Sequence, residues 1–252
     1  MSATPPTPPD QTTHISETVV RPPAGDVLAP HRRVLALGLV LFVSFGQFVA
    51  FSAYSLTGVT ASADPHQRQA RLLGALIVEV GSLAVLLYVL SQQGRKWKDI
   101  GWNLQWMDLA RAVGLVFGSI FAGYLILSPV QILYHSYAGH YLVPTSTHGL
   151  LGLGVSGLSI ALVCLNPFFE ELIVRGYLMT EILDLGGKGM MAILISVAVQ
   201  MSYHLYQGVF RGIALTASFA VLSIYFWKTR RIAPVVLAHL CFDAFALFRL
   251  SL

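Results

Sequence analysis

Seven ionisable residues stand inside otherwise apolar stretches of this chain: Glu79, Glu170, Glu171, Arg175, His204, His239 and Asp243. A charge held in hydrocarbon costs roughly 2.5–3.5 kcal/mol even on lenient insertion scales, so each is a functional candidate. All but Glu79 fall in the last third or so of the chain. Carboxylates and imidazoles together are the groups of general acid–base chemistry. They would take a proton from water and return one to a leaving group.

The first cluster reads Asn166-Pro167-Phe168-Phe169-Glu170-Glu171-Leu172-Ile173-Val174-Arg175. Pro167 suits the first turn of a new helix. Carboxylates next to a helix N-terminus are favoured by its dipole. Glu171 and Arg175 stand at i and i+4 in the favourable order for an ion pair. At 3.6 residues per turn, Glu170 points about 100° away from Glu171. The two acids therefore have different tasks: Glu171 is held by Arg175, and Glu170 faces elsewhere. The second cluster is Gln200-Met201-Ser202-Tyr203-His204-Leu205-Tyr206. Its tyrosines fit an aromatic belt at the membrane interface. The third is His239-Leu240-Cys241-Phe242-Asp243, whose His and Asp share one helix face.

The order Glu-Glu-x-x-x-Arg, His, His-x-x-x-Asp resembles the CPBP family, the CAAX-protease and bacteriocin-processing membrane peptidases. The segments "EELIVRGYL", "AILISVAVQMSYHLYQG" and "RRIAPVVLAHLCFDAF" are similar to its three motifs, over about residues 160–248. The resemblance implies peptide-bond hydrolysis inside the membrane. Glu170 would be the general base, His204 would hold the water, and His239 with Asp243 would donate to the tetrahedral oxyanion. Glu171 and Arg175 would orient the site, and Arg175 would also meet a substrate carboxylate. Two positions depart from the family pattern. Gln200 and Met201 stand where Phe is usual, and Asp243 stands where the third motif usually has Asn. An ionised Asp cannot donate a hydrogen bond, so this role requires a protonated Asp243.

Other readings use the same residues. Glu170, His204 and His239 could supply three ligands to a Zn ion with an open fourth position; the metal-free mechanism, without a cofactor, is the preferred expectation. Gly154-Val155-Ser156-Gly157 is similar to the nucleophile motif of rhomboid proteases, with His239 as base. A non-catalytic scaffold or immunity-type protein would bind membrane partners and hydrolyse nothing. A proton-coupled transporter would recruit Glu79 to its pathway.

The elements that must position these residues are membrane spans. Of 252 residues, 55% are hydrophobic and 11% charged, against roughly 25% charged in a soluble domain. Mean hydropathy is +0.67. The net charge of +4 is spread singly or in small groups between apolar runs, which excludes a basic nucleic-acid stripe. Continuously apolar runs at about 34–59, 72–90, 110–134, 149–166, 190–207, 211–227 and 232–250 predict an all-α polytopic bundle of about seven to eight spans. The Pro- and Thr-rich residues 1–33 read as a disordered tail, leaving 34–252 as the bundle. The short fifth and sixth runs suggest a tight helical hairpin.

With the N-terminus inside, the inner segments hold Arg21, Arg32, Arg33, Arg95, Lys96, Lys98, Arg111, Arg175, Lys188, Lys228, Arg230 and Arg231. The outer ones hold Arg68, Arg71, Arg211 and Arg249. That bias predicts a cytoplasmic N-terminus, and the expected location is the plasma membrane. Expected partners are membrane lipid and a peptide or membrane-protein substrate. Cys164 and Cys241 read as small buried hydrophobes. His135, His140 and His148 read as solvated loop residues. Gly114 and Gly118 form a GxxxG that lets helices approach closely.

Overall fold

The computed structural model describes residues 28–57, 64–140 and 156–251. Within them the chain is all-helical, with α1 Pro30–Ser55, α2 Pro65–Gln92, α3 Met107–Ala138, α4 Gly157–Asp184, α5 Gly189–His204, α6 Val209–Thr229 and α7 Ala233–Ser251. Six of these, α1 to α6, are long and apolar enough to cross a membrane. The tail to residue 27 and the start of the run at 149–166 lie outside the described residues.

The bundle wears its apolar side chains outward. Phe42, Ile77, Phe117, Phe121, Leu133 and Phe245 are exposed, whereas Glu170, Glu171, Arg175, Gln200 and His239 are buried. Such a distribution suits lipid, where surface side chains need no polar atoms and interior polar groups must satisfy one another. Cys164 and Cys241 are exposed on this surface, not buried as expected.

Helix α4 is the centre. It packs against α2 and α7, and its second half against α5 and α6. Of its apolar window 44% is buried, against 33% for the next most buried span. Here the structure corrects the sequence reading. Pro167 does not begin a helix; it lies inside α4, which runs on through both glutamates. The ring costs the helix one internal hydrogen bond. Packing on four sides offsets that loss, a term that residue propensity does not contain. Beyond Glu171 the helix widens into a π segment, Leu172–Met179, all of whose residues are buried. Such wide turns occur often at functional sites.

Helices α5 and α6 form the expected hairpin through a short 3₁₀ turn, Leu205–Gln207, and Gly208. Helix α3 lies along α6 and α7. On α3, a Cβ at Gly118 would touch Val221, while one at Gly114 would meet open space. Only one glycine of that GxxxG serves this contact.

One end of the bundle is fastened by ions. Arg33 gives Nε to Glu181 at 2.9 Å, and Arg95 gives Nη1 to Glu181 at 2.9 Å and Nη2 to Asp184 at 2.8 Å. Beside them, Arg231 donates to Asp108 at 2.8 Å, and Arg111 at 2.7 Å. These residues come from the start of α1, the end of α2, the start of α3, the end of α4 and the turn before α7. The predicted inner segments thus share one face. Arg175 does not belong with them. It is fully buried within α4, so it is no loop charge and drops out of the topology count.

Candidate active site

The two glutamates are adjacent, so α4 turns them toward different neighbours. Glu171 has no exposed surface. Its Oε2 is paired with Arg175 Nη1, and its Oε1 takes Nδ1 of His239 at 2.6 Å. Arg175 completes its own shell with Gln200 Oε1, Ser223 Oγ at 3.3 Å and the Phe219 carbonyl at 3.3 Å. The face of the Phe219 ring lies 5.8 Å away. Every side of the guanidinium is occupied and its exposure is 0%. The expected contact of Arg175 with a substrate carboxylate is therefore not available. Its work is to hold Glu171.

Glu170 faces away from Arg175, toward α5, and one of its oxygens is engaged there. Its Oε2 accepts from Tyr203 OH at 2.9 Å and from Gln200 Nε2 at 3.1 Å. No hydrogen bond reaches Oε1 from the described residues. One oxygen of the carboxylate is thus anchored by two donors and the other is left for a small polar molecule. Tyr203 is itself fixed, buried to 4% exposure and stacked on Phe45 of α1 at 4.6 Å between centroids. It is not an interfacial belt residue. Tyr206 is only partly exposed.

Gln200 joins the parts. Its amide nitrogen serves Glu170, and reaches Glu171 at 3.5 Å, while its oxygen takes Arg175. Only a side chain with both a donor and an acceptor can sit between two carboxylates and a guanidinium. A Phe there would leave those groups unpaired. Gln200 and Tyr203 are the site residues that the sequence reading passed over. The visible signal was a fully polar residue in an apolar run.

His204 ends α5. Its Nδ1 donates to the Gln200 carbonyl one turn back at 2.9 Å. That bond places a proton on Nδ1, and no hydrogen bond from the described residues reaches Nε2. The ring is packed by Tyr203 at 4.7 Å and Phe219 at 5.1 Å.

Helices α4 and α7 run antiparallel, tied by two rungs. Glu171 meets His239, and Asn166 Nδ2 donates to Asp243 Oδ2 at 3.1 Å. The other oxygen of Asp243 stands 3.6 Å from His239 Nε2, beyond a hydrogen bond. Gln200 of the second motif binds both glutamates of the first and holds His204 through its carbonyl, and Glu171 binds His239 of the third, so the three motifs share one hydrogen-bonded network. Glu79 of α2 borders it: it is 4% exposed, its Oε2 has no hydrogen-bond partner, and Glu170 and Asp243 are the charges that act on it.

The alternative assignments fare differently. Ser156 caps α4, accepting from the backbone of Ser159 at 3.2 Å, and both nitrogens of His239 face carboxylates instead; the serine–histidine pair is not formed. Gly154 and Val155 of that motif lie outside the described residues. Among the described residues, no group of three or more His, Cys, Asp or Glu is placed to hold a metal ion. Glu170, His204 and His239 are not among such a group. His135 belongs to the last turn of α3 and His140 is exposed beside Tyr134; His148 is outside the described residues.

Residues 152–245 match a family model described as "Type II CAAX prenyl endopeptidase Rce1-like". The match covers less than half of the chain and contains all three motifs, so the resemblance seen in the sequence holds over this core. Neither the curated proteins nor the solved structures yield a match.

Proposed function

We propose that this chain is an intramembrane endopeptidase that hydrolyses a peptide bond with a water activated by Glu170. The observation that carries this reading is the asymmetry of Glu170. A carboxylate in mid-helix, deep in a lipid-facing bundle, has one oxygen held by two donors and one unengaged. That is the posture of a general base. Water would bind between Oε1 and the free Nε2 of His204. As the water oxygen attacks the carbonyl carbon, its proton passes to Glu170. The carbon–nitrogen bond then breaks, and the same proton reaches the leaving amine.

His239 borders the site from α7, its orientation set by Glu171. No metal or cofactor enters this scheme. The match to a CAAX prenyl endopeptidase model supports a substrate with a prenylated cysteine near its carboxyl terminus. A prenyl chain would lie among the apolar helix faces. The cytoplasmic N-terminus and plasma-membrane location belong to this proposal as well.

The test is direct. Purified protein in detergent micelles is incubated with a farnesylated CAAX-type peptide and with its unprenylated twin, and the products are identified by mass spectrometry. Internal cleavage of the farnesylated peptide is expected. Intact peptides in both arms would overturn the peptidase reading.

One observation favours a second reading. Glu79 is buried, has an unpartnered oxygen and faces other acids, as a proton-relay residue would. A relay would give pH-driven proton flux in vesicles that is lost in Glu79→Gln. A peptidase would give none.

A further inference from the structure

We infer that Asn166 is a further catalytic residue, an amide donor to the oxyanion, and that Asp243 is the positioning residue that aims it. This rests on the peptidase reading above.

The problem starts with the chemistry of position 243. A carboxylate accepts hydrogen bonds and donates none. Yet a tetrahedral oxyanion needs donors about 2.7–3.1 Å from its oxygen. In the structure Asp243 Oδ2 takes a hydrogen from Asn166 Nδ2 at 3.1 Å. An amide nitrogen has two hydrogens. One is committed to Asp243, so the plane of the amide is set and the second hydrogen has a defined direction.

The placement suits the role. Asn166 is four residues before Glu170, so both side chains lie on the same face of α4, one turn apart. Asp243 of α7 meets that face at Asn166, one helical turn beyond His239, which meets the neighbouring Glu171. Both residues of the pair are only partly buried, with the Asp243 side chain 26% exposed, so the pair is not sealed in the bundle core. The pair thus carries one carboxylate and one amide on facing helices, with the amide on α4.

Such an arrangement has a symmetry that an experiment can use. Exchanging the two residues keeps one carboxylate, one amide and the hydrogen bond between them. It moves the donor from α4 to α7, at position 243, one helical turn from His239. Three variants are compared with the wild type on the farnesylated peptide: Asn166→Ala, Asn166→Asp, and the double exchange Asn166→Asp with Asp243→Asn. Loss of one oxyanion donor lowers kcat by about 10²–10³. Asn166→Ala is expected to fall by that amount with KM within about threefold. Asn166→Asp, which faces one carboxylate with another, should fall at least as far. The exchange should regain at least about tenfold over Asn166→Asp.

A merely structural hydrogen bond would not produce a loss confined to kcat and reversed by exchange. If Asp243 were instead a protonated donor, Asn166→Ala would keep its kcat; that result overturns the inference and leaves the peptidase standing. An exchange no better than Asn166→Asp also overturns it. A wild-type protein that cleaves nothing removes the peptidase reading and the inference together.

Discussion

Glu171 is enclosed by a guanidinium and an imidazole, while its neighbour Glu170 has one oxygen without a hydrogen bond. The difference follows from 100° of helix rotation and from which helices happen to lie on each side. Breaking the buried Glu171–Arg175 pair from either end would leave an uncompensated charge, at a cost of roughly 3–5 kcal/mol. Such variants are therefore poor probes of chemistry. Tyr203 is a better one. Its hydroxyl is a single donor to Glu170 Oε2, and Phe keeps the ring that stacks on Phe45. A charge-assisted hydrogen bond is worth about 1.5–3 kcal/mol. Tyr203→Phe should lower kcat by roughly 10–100-fold in the peptide assay while the thermal midpoint moves by only a few degrees. An unchanged kcat would mean that Tyr203 does not position the base.

Residue by residue, the sequence was informative where spacing alone decides. The i, i+4 pairs Glu171–Arg175 and His239–Asp243 were legible because a helix places them on one face whatever surrounds it. What each pair meets was not. That Gln200 bridges both acids, that Tyr203 turns inward, and that Asn166 reaches Asp243 are contacts between residues far apart in the chain. No local pattern specifies them.

Among the elements, α4 carries the account. Its continuation through Pro167 and its π segment place Asn166, Glu170, Glu171 and Arg175 on a single rigid rod. A helix beginning at Pro167 would have put the acids at an interface and not in the bundle. The turn between α2 and α3 supports this rod from one end. There Gly101 adopts φ +92°, and an added Cβ would stand 2.6 Å from the Arg230 carbonyl oxygen. Its own carbonyl accepts from Ile232 N at 3.0 Å, which ties the turn to the start of α7. Left-handed backbone costs a non-glycine residue roughly 1–2 kcal/mol, and the close contact adds to it. Gly101→Ala should lower the thermal unfolding midpoint in detergent by several degrees. An equal or higher midpoint would show that this turn does not hold α7. The apolar runs made most helices readable, but not their junctions. Whether a proline starts or interrupts a helix depends on the packing that surrounds it.

For the whole molecule, the arrangement places Arg33, Arg95, Glu181, Asp184 and Asp108 with Arg231 at one end of the bundle. The predicted inner segments meet there, and the α2–α3 and α6–α7 connections follow the same side. Helices α4 and α7 then run in opposite directions, as their two rungs require. Under the proposed orientation, single cysteines placed at Lys188 and Lys228, in a background lacking Cys164 and Cys241, should react with an impermeant maleimide only after the cytoplasmic side is opened. One at His140 should react from the other side in intact cells. Labelling of Lys188 and His140 positions from the same side would contradict it. Composition made the membrane bundle clear from the outset, because 11% charged residues cannot cover a soluble protein of this length. The site lay in the few charges left over.

In the proposed reaction Glu170 is the base. The most direct test of that role is the rate of farnesylated-peptide cleavage by Glu170→Gln against the wild type, at matched folding. Gln keeps the shape of the side chain and its hydrogen bond from Tyr203 but has no basicity. General-base contributions run to about 10²–10⁴, so a loss of at least about 10² is expected. A Glu170→Gln variant that cleaves at the wild-type rate would contradict the account.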